Sequence, residues 1–181
     1  MTTEGFTLFD TPIGRCGISW GPGGITGVQL PESSDARTRA RLLRRCPDLH
    51  ASPPPAEVQA AIDDIVALLR GEPRLLDTIA LDMSGVPPFH RRVYELARTI
   101  APGSTRSYGE LARDLGEPGA SRAVGQALGA NPFAPVVPCH RVLAAGQRSG
   151  GFSAAGGVAT KLRMLQIEGA RFGQEPGLFD A

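Results

Sequence analysis

Lysine is nearly missing from this 181-residue chain, in which 18 of the 19 basic residues are arginine and one, Lys161, is lysine. Aromatic residues are scarce at 6%. Cysteine occurs three times, at Cys16, Cys46 and Cys139, an odd number without paired spacing, which excludes a disulfide framework as the basis of the fold. No apolar run approaches the length that crosses a bilayer, so no membrane span is expected. The opening Met1-Thr-Thr-Glu-Gly has no basic stretch leading into an apolar one, so no secretory signal is expected either. These absences, with the unpaired thiols, fit a cytoplasmic chain. Neither sign of charge dominates: the formal net charge is +1, which excludes a polycation that binds anions through its whole surface.

What is present is an ordinary globular balance, 41% hydrophobic and 20% charged. A chain of this length buries roughly 70% of its unfolded surface, enough for a core without staples. The charge is unevenly spread. Residues 1–86 carry 8 Arg against 11 Asp and Glu, whereas 87–174 carry 11 basic residues against 5 acidic ones. A basic second half points to an anionic partner, or else to a chain that uses arginine wherever a solvated cation serves.

The patterning predicts an α+β fold in two parts. Alternation over 6–9, 17–20 and 25–30, broken by Gly21-Pro-Gly-Gly, predicts strands joined by turns. An Arg-rich segment from Asp35 to Arg45 reads as a short exposed helix, and Val58, Ile62, Ile65, Val66 and Leu69 share one face of a helix through about Arg70. Leu75 to Leu81 alternates as a further strand. Ser84-Gly-Val-Pro-Pro reads as a linker, placing a supporting domain at 1–84, a second domain at 85–174 and a tail at 175–181. The second domain opens with a helix from Phe89 to Ile100. Ser107 and Glu110 then form a capping box for a short helix, and Ser121 to Ala130 makes a third. Helices two and three, joined by a tight Gly-containing turn, form a helix-turn-helix pattern. Lys161 to Glu168 reads as a final helix.

On the third of these helices, Arg122, Gly125 and Gly129 share one side while Val124, Ala127 and Leu128 share another. Glycine weakens a helix by about 1 kcal/mol, so two on one face need a reason. Either they let that face lie close against a foreign backbone, or they let another helix of the chain pack there. The densest chemical signal follows directly, in Asn131-Pro-Phe-Ala-Pro-Val-Val-Pro-Cys-His-Arg-Val-Leu. Pro132, Pro135 and Pro138 stiffen the backbone around one thiol, a mount suited to a nucleophile that must be aimed. A free thiol ionises near pH 8.5, so it needs help at neutral pH. His140 can take its proton, directly or through a water, and an acid such as Glu168 can orient the imidazole.

Val137-Pro-Cys-His-Arg-Val142 resembles the active-site signature of the O6-alkylguanine-DNA alkyltransferases, the methylated-DNA–protein-cysteine methyltransferases. The resemblance continues through Pro88-Phe89, Ser107-Tyr-Gly-Glu-Leu-Ala112, Ser121-Arg-Ala-Val-Gly125, Asn131-Pro132 and the closing Lys161…Glu168-Gly169, about 85 residues in family order. It implies a small N-terminal ribonuclease H-like α/β domain followed by a mostly helical, winged helix-turn-helix-like domain. It implies irreversible transfer of an alkyl group from O6-alkylguanine, and from O4-alkylthymine, to Cys139. By motif position His140 would be the water-linked base, Glu168 its orienting acid, Asn131 the brace of the active-site turn and Tyr108 either a donor to N3 of the departing guanine or a contact to the rotated phosphate. Arg122 would fill the gap left by the flipped nucleotide, with Tyr108, Ser121 and Gly125 on the DNA and Val142, Phe152 and Ser153 in the substrate pocket. The implied partner is double-stranded DNA carrying O6-alkylguanine, met from the minor groove largely without sequence preference by a monomer that uses no cofactor. Cys16, Cys46, His50 and His90 provide too scattered a ligand set for a metal, and none is expected. The loop 152–161 is about two residues longer than in the relatives compared, and Phe152 stands where a Tyr is common. The alternative is a lesion-binding relative that lacks transfer. A Cys–His hydrolase and a transcription regulator are the more distant rivals.

Overall fold

The computed structural model describes residues 3–144 and 157–170. Among these residues the fold is mixed α/β, with small sheets and six helices. Strands β1 (Gly5–Thr11), β2 (Gly14–Gly21) and β3 (Gly24–Gln29) form an antiparallel sheet in the order β1-β2-β3. Phe6, Ile18, Trp20 and Ile25 lie in the core, and a register shift between Ser19 and Trp20 brings Val28 there too, which simple alternation from Ile25 does not do. Helix α1 (Asp35–Leu42) is capped by Ser34 and is less exposed than its arginines suggest, because Thr38 and Leu42 turn inward. Helix α2 (Ala56–Leu69) buries Val58, Ile62, Ile65 and Leu69 as its periodicity predicts.

The segment from Leu75 to Leu81 is not a strand. It meets the sheet at one parallel bridge, Ile25 to Leu81, and Leu75 is exposed. The free edge of β3 is already divided. Ile25 N–H donates to Ala80 O and Asp82 N–H donates to Ile25 O, but Val28 N–H donates to Pro132 O at 2.9 Å. A ladder cannot continue past that point, and the remaining carbonyls of Leu76 and Ile79 accept from the guanidinium of Arg98.

The second half contains α3 (Pro88–Ala97), α4 (Tyr108–Asp114), α5 (Ser121–Gly129) and α6 (Val158–Ile167), with a 3₁₀ turn at Cys139–Arg141. Two-residue strands β4 (Arg106–Ser107) and β5 (Val142–Leu143) pair in parallel, which brings the start of α4 beside the chain leaving that turn. The capping box of Ser107 and Glu110 forms as expected. Tyr94 is buried and donates from its hydroxyl to Ala127 O at 2.7 Å, locking α3 to α5. Two hydrophobic clusters result. One, built on the sheet and α2, also takes in Val136 and Met164 from the second half. The other gathers Val93, Tyr94, Leu111, Val124, Phe133, Val137 and Val142 around Cys139. Among the described residues no helix is long and apolar enough to cross a membrane.

Candidate active site

Cys139 opens the 3₁₀ turn and is buried at 8% exposure. Its mount is built from the preceding segment. Asn131 Nδ2 donates to Val137 O at 2.8 Å, and Asn131 Oδ1 accepts from Phe133 N–H at 2.9 Å, so one side chain closes the loop that delivers the thiol. Burial pushes the Cys139 thiol up, while a hydrogen bond from the Asn131 side chain and the charge of Lys161 pull it down. A cavity of about 250 Å³ reaches Cys139 from between β3, α1 and the end of α5, lined also by Asn131, Ala134 and Arg41. Tyr108 and Val142 do not line it. Phe152 and Ser153, expected in the base pocket, lie outside the described residues, as does the tail 175–181.

His140 is fully buried and stands with Nε2 2.8 Å from Glu168 Oε2. Burial lowers its pKa, with Glu168 opposing the shift and Arg141 and Lys161 adding to it. Burial alone would raise Glu168, but hydrogen bonds from Arg141 and His140 and the charge of Arg141 prevail and hold the carboxyl down at about 2. An ionised carboxylate only accepts, so His140 Nε2 carries the hydrogen and Nδ1 carries the lone pair. Nδ1 is buried and has no hydrogen-bond partner among the described residues. The site therefore holds a neutral imidazole of fixed tautomer, its basic nitrogen unengaged, on the residue after the thiol.

Glu168 occupies the C-cap of α6, where a carboxylate opposes the helix dipole. Gly169, at φ +72°, ends the helix immediately afterwards. The unfavourable position is offset by Arg141, whose Nε and Nη2 grip both carboxylate oxygens at 2.8 Å while Nη1 donates to Ile100 O at 2.7 Å. This ion pair is the main feature the sequence reading missed. Arg141 was in plain view next to His140, but nothing local says that its fork closes on a residue 27 positions later.

The depressed Glu168 has a consequence for acid stability. Its folded value lies below the ordinary 4.5, so its contribution is fully present above that value and is lost as pH falls through about 2. The shift corresponds to about 3 kcal/mol, roughly 2 of which are gone by about pH 3. The lowered pKa of His140 acts in the same direction. Urea denaturation at about pH 6 and about pH 3 checks this, and Glu168→Gln should flatten the Glu168 part of the dependence.

Tyr108, half-buried at the first position of α4, lies against α5. Burial raises its pKa, aided by the charge of Cys139, so it stays a protonated donor. A Cβ at Gly125 would meet the Tyr108 ring at 4.0 Å, and one at Gly129 would meet nothing within 4 Å. At Gly125 that face is therefore shared with Tyr108 of α4, whereas at Gly129 it is open. Arg122 is exposed on the same face with no ion pair among the described residues, and Ser121 begins the helix. Cys16 is buried and pushed up to about 12, far from reactivity. No group of three or more His, Cys, Asp or Glu among the described residues could hold a metal ion.

A family model described as "6-O-methylguanine DNA methyltransferase, DNA binding domain" matches residues 88–170. A methylated-DNA–protein-cysteine methyltransferase of Mycobacterium bovis is 35% identical over 97% of this chain and 98% of its own length. The chain belongs to the methylated-DNA–protein-cysteine methyltransferases. A relative of the same name from Mycolicibacterium paratuberculosis reaches 43% identity over the same shares. The crystal structure of the R37K variant of Mycobacterium tuberculosis OGT superposes with a TM-score of 0.73 at 33% identity, covering 98% of this chain and 100% of that one. The complex of M. tuberculosis OGT with DNA gives 0.71 at 35% identity, over 91% and 92%. Family membership thus extends over the N-terminal half, beyond the roughly 85 residues whose motifs carry the sequence resemblance.

Proposed function

We propose that this methyltransferase repairs O6-alkylguanine in double-stranded DNA by moving the alkyl group irreversibly onto Cys139. The observation that carries the reading is the pairing of His140 with an ionised Glu168 at 2.8 Å, which leaves a basic imidazole nitrogen on the residue beside the braced thiol. The thiol proton passes to His140 Nδ1, directly or through a water. The sulfur pair forms the S–C bond as the C–O6 bond breaks, and the electron pair leaves on the purine. Tyr108 supplies a proton to the purine and regains one from solvent. Asn131 holds the turn throughout. The product is a thioether that no group in the site can reverse, so each molecule acts once.

The lesion reaches this buried sulfur by leaving the stack, at a cost of a few kcal/mol that is smaller for a damaged pair. Arg122 takes its place in the duplex, and Ser121, Gly125 and Tyr108 track the backbone with α5 in the minor groove. The protein acts as a monomer. Residues 1–84 form a ribonuclease H-like support, 85–174 a winged helix-turn-helix-like domain for DNA and transfer, and 175–181 a tail.

Incubation with O6-methylguanine duplex followed by intact mass tests the reading. One methyl group in place of the Cys139 hydrogen supports transfer, and a tight complex of unchanged mass assigns the chain to lesion binding instead. Arg122→Ala should slow repair in duplex roughly tenfold or more, in line with the loss of a few kcal/mol of flipping support, and leave transfer from free O6-benzylguanine nearly unchanged. Equal losses on both substrates would reject a flipping role.

A further inference from the structure

The Arg-rich segment around α1 has no task in the transfer reaction. Residues 1–86 are acidic overall and hold eight arginines, yet five of these, Arg37, Arg39, Arg41, Arg44 and Arg45, fall within nine positions. Arg41 is engaged by Glu32 at 2.7 Å. Arg44 and Arg45, in the turn that leaves α1, are exposed and form no ion pair among the described residues. Both line the cavity that reaches Cys139, as does Gly129 at the end of α5. Packing fixes them there. A Cβ on Gly27 of β3 would meet Leu42 of α1 at 3.4 Å and the Pro132 carbonyl at 3.8 Å, so a bare glycine lets α1 and the active-site loop approach the same strand. The hydrogen bond from Val28 to Pro132 ties that strand to the loop. Arg122 and Gly129 share one side of α5 and stand about 10 Å apart along its axis. That side is open at Gly129, where a Cβ would meet nothing within 4 Å. It therefore runs from one exposed arginine to a cavity rimmed by two more.

We propose that Arg44 and Arg45 hold the phosphate backbone of the lesion-bearing duplex, so that the supporting half of the chain grips DNA at the end of α5 remote from Arg122. The inference rests on the reading of α5 as the helix that meets DNA. Charge favours this occupant. A guanidinium is a planar fork that matches the oxygens of a phosphate, and two of them stand here without a carboxylate partner. The half that carries them is otherwise acidic, so the cluster is a local exception rather than a general solvating surface. Position favours it too. The span of about 10 Å along α5 equals about three base-pair steps of duplex. Arg122 and the α1 pair then bracket the nucleotide that leaves the stack, and the cavity that the pair rims is the one whose wall includes Cys139. Contacts of this kind set register and orientation on the duplex without reading bases, as repair of lesions at any sequence requires.

The test follows binding of the full chain to an O6-methylguanine duplex by fluorescence anisotropy over a range of salt concentrations. A Cys139→Ala background keeps transfer from intervening. Each phosphate contact contributes about 0.9 to the slope of log affinity against log salt. Replacing the pair together, Arg44→Gln with Arg45→Gln, should flatten that slope by about two and weaken binding roughly tenfold or more at about 0.1 M salt. Arg44→Lys with Arg45→Lys keeps both charges and should retain most of the slope. A loss equal to that of the Gln pair would trace the effect to packing and overturn the proposal. Arg70→Gln is the reference: it removes an exposed arginine at the end of α2 that does not line the cavity, and the slope should stay as it was. A Gln pair with an unchanged slope, or one no flatter than that of Arg70→Gln, overturns the proposal and gives the cluster to a partner other than DNA. Intact mass of the chain with its native Cys139 separates the two failures. A chain that gains no methyl group from the duplex defeats the functional reading, while one that gains it and whose salt response ignores Arg44 and Arg45 defeats this inference alone.

Discussion

Cys139→Ala is expected to abolish methyl transfer and to leave binding to duplex DNA largely intact. Of the three cysteines, only Cys139 sits in a turn braced by Asn131 with a neutral imidazole beside it. Cys16 cannot substitute, because burial holds its thiol at about 12. The side of α5 proposed to meet DNA does not depend on the sulfur: Arg122 is exposed, and α5 is fixed to α3 by Tyr94. Removing one buried sulfur leaves a small void, at a cost of about 1 kcal/mol. Intact mass after incubation with O6-methylguanine duplex, paired with a gel shift on the same duplex, checks both halves of the statement. Residual transfer by Cys139→Ala would remove the nucleophile assignment.

The second large effect is expected from Glu168→Gln. This substitution preserves shape but removes the charge that Arg141 grips through Nε and Nη2. Arg141 is only 5% exposed, so its guanidinium is left buried without its counter-ion, a change that destabilises a protein by about 3–5 kcal/mol. The chemical loss is separate. An amide can donate as well as accept, so His140 is no longer obliged to carry its hydrogen on Nε2, and proton acceptance from Cys139 falls by roughly 10²-fold or more. Denaturant midpoints report the first effect. Transfer rates at conditions where both proteins are fully folded report the second. A variant that keeps both would show that the triad logic has no place here.

The contrast between those two residues explains what could be read in the sequence. Cys139, His140 and Asn131 stand within nine positions of one another, and proline spacing exposes their purpose. Glu168 was reachable through the order of motifs, and it takes its place despite the longer loop before it, because α6 ends on it. Helix α4 was legible from its capping box and α2 from its periodicity, both local properties. The misread strand at Leu75 to Leu81 failed for a non-local reason: alternation describes one segment, whereas a ladder needs a free partner edge, and Pro132 occupies part of that edge. Arg141 and Lys161 were missed in the same way. A buried cation is recognised by what surrounds it, and no window of sequence contains Ile100, Val142 and Glu168 together.

The hydrogen bond from Val28 to Pro132 reaches well beyond strand pairing. Pro132 adjoins Asn131, and Val136, four residues on, seats itself among the side chains of the sheet and α2. The reactive turn is thus suspended between two hydrophobic anchorages, one from each half of the polypeptide. Cutting the molecule at 84 would leave an amide and a carbonyl unmatched and turn Val136 and Met164 out into water. Like an arch and its abutment, neither half keeps its working geometry once the other is withdrawn.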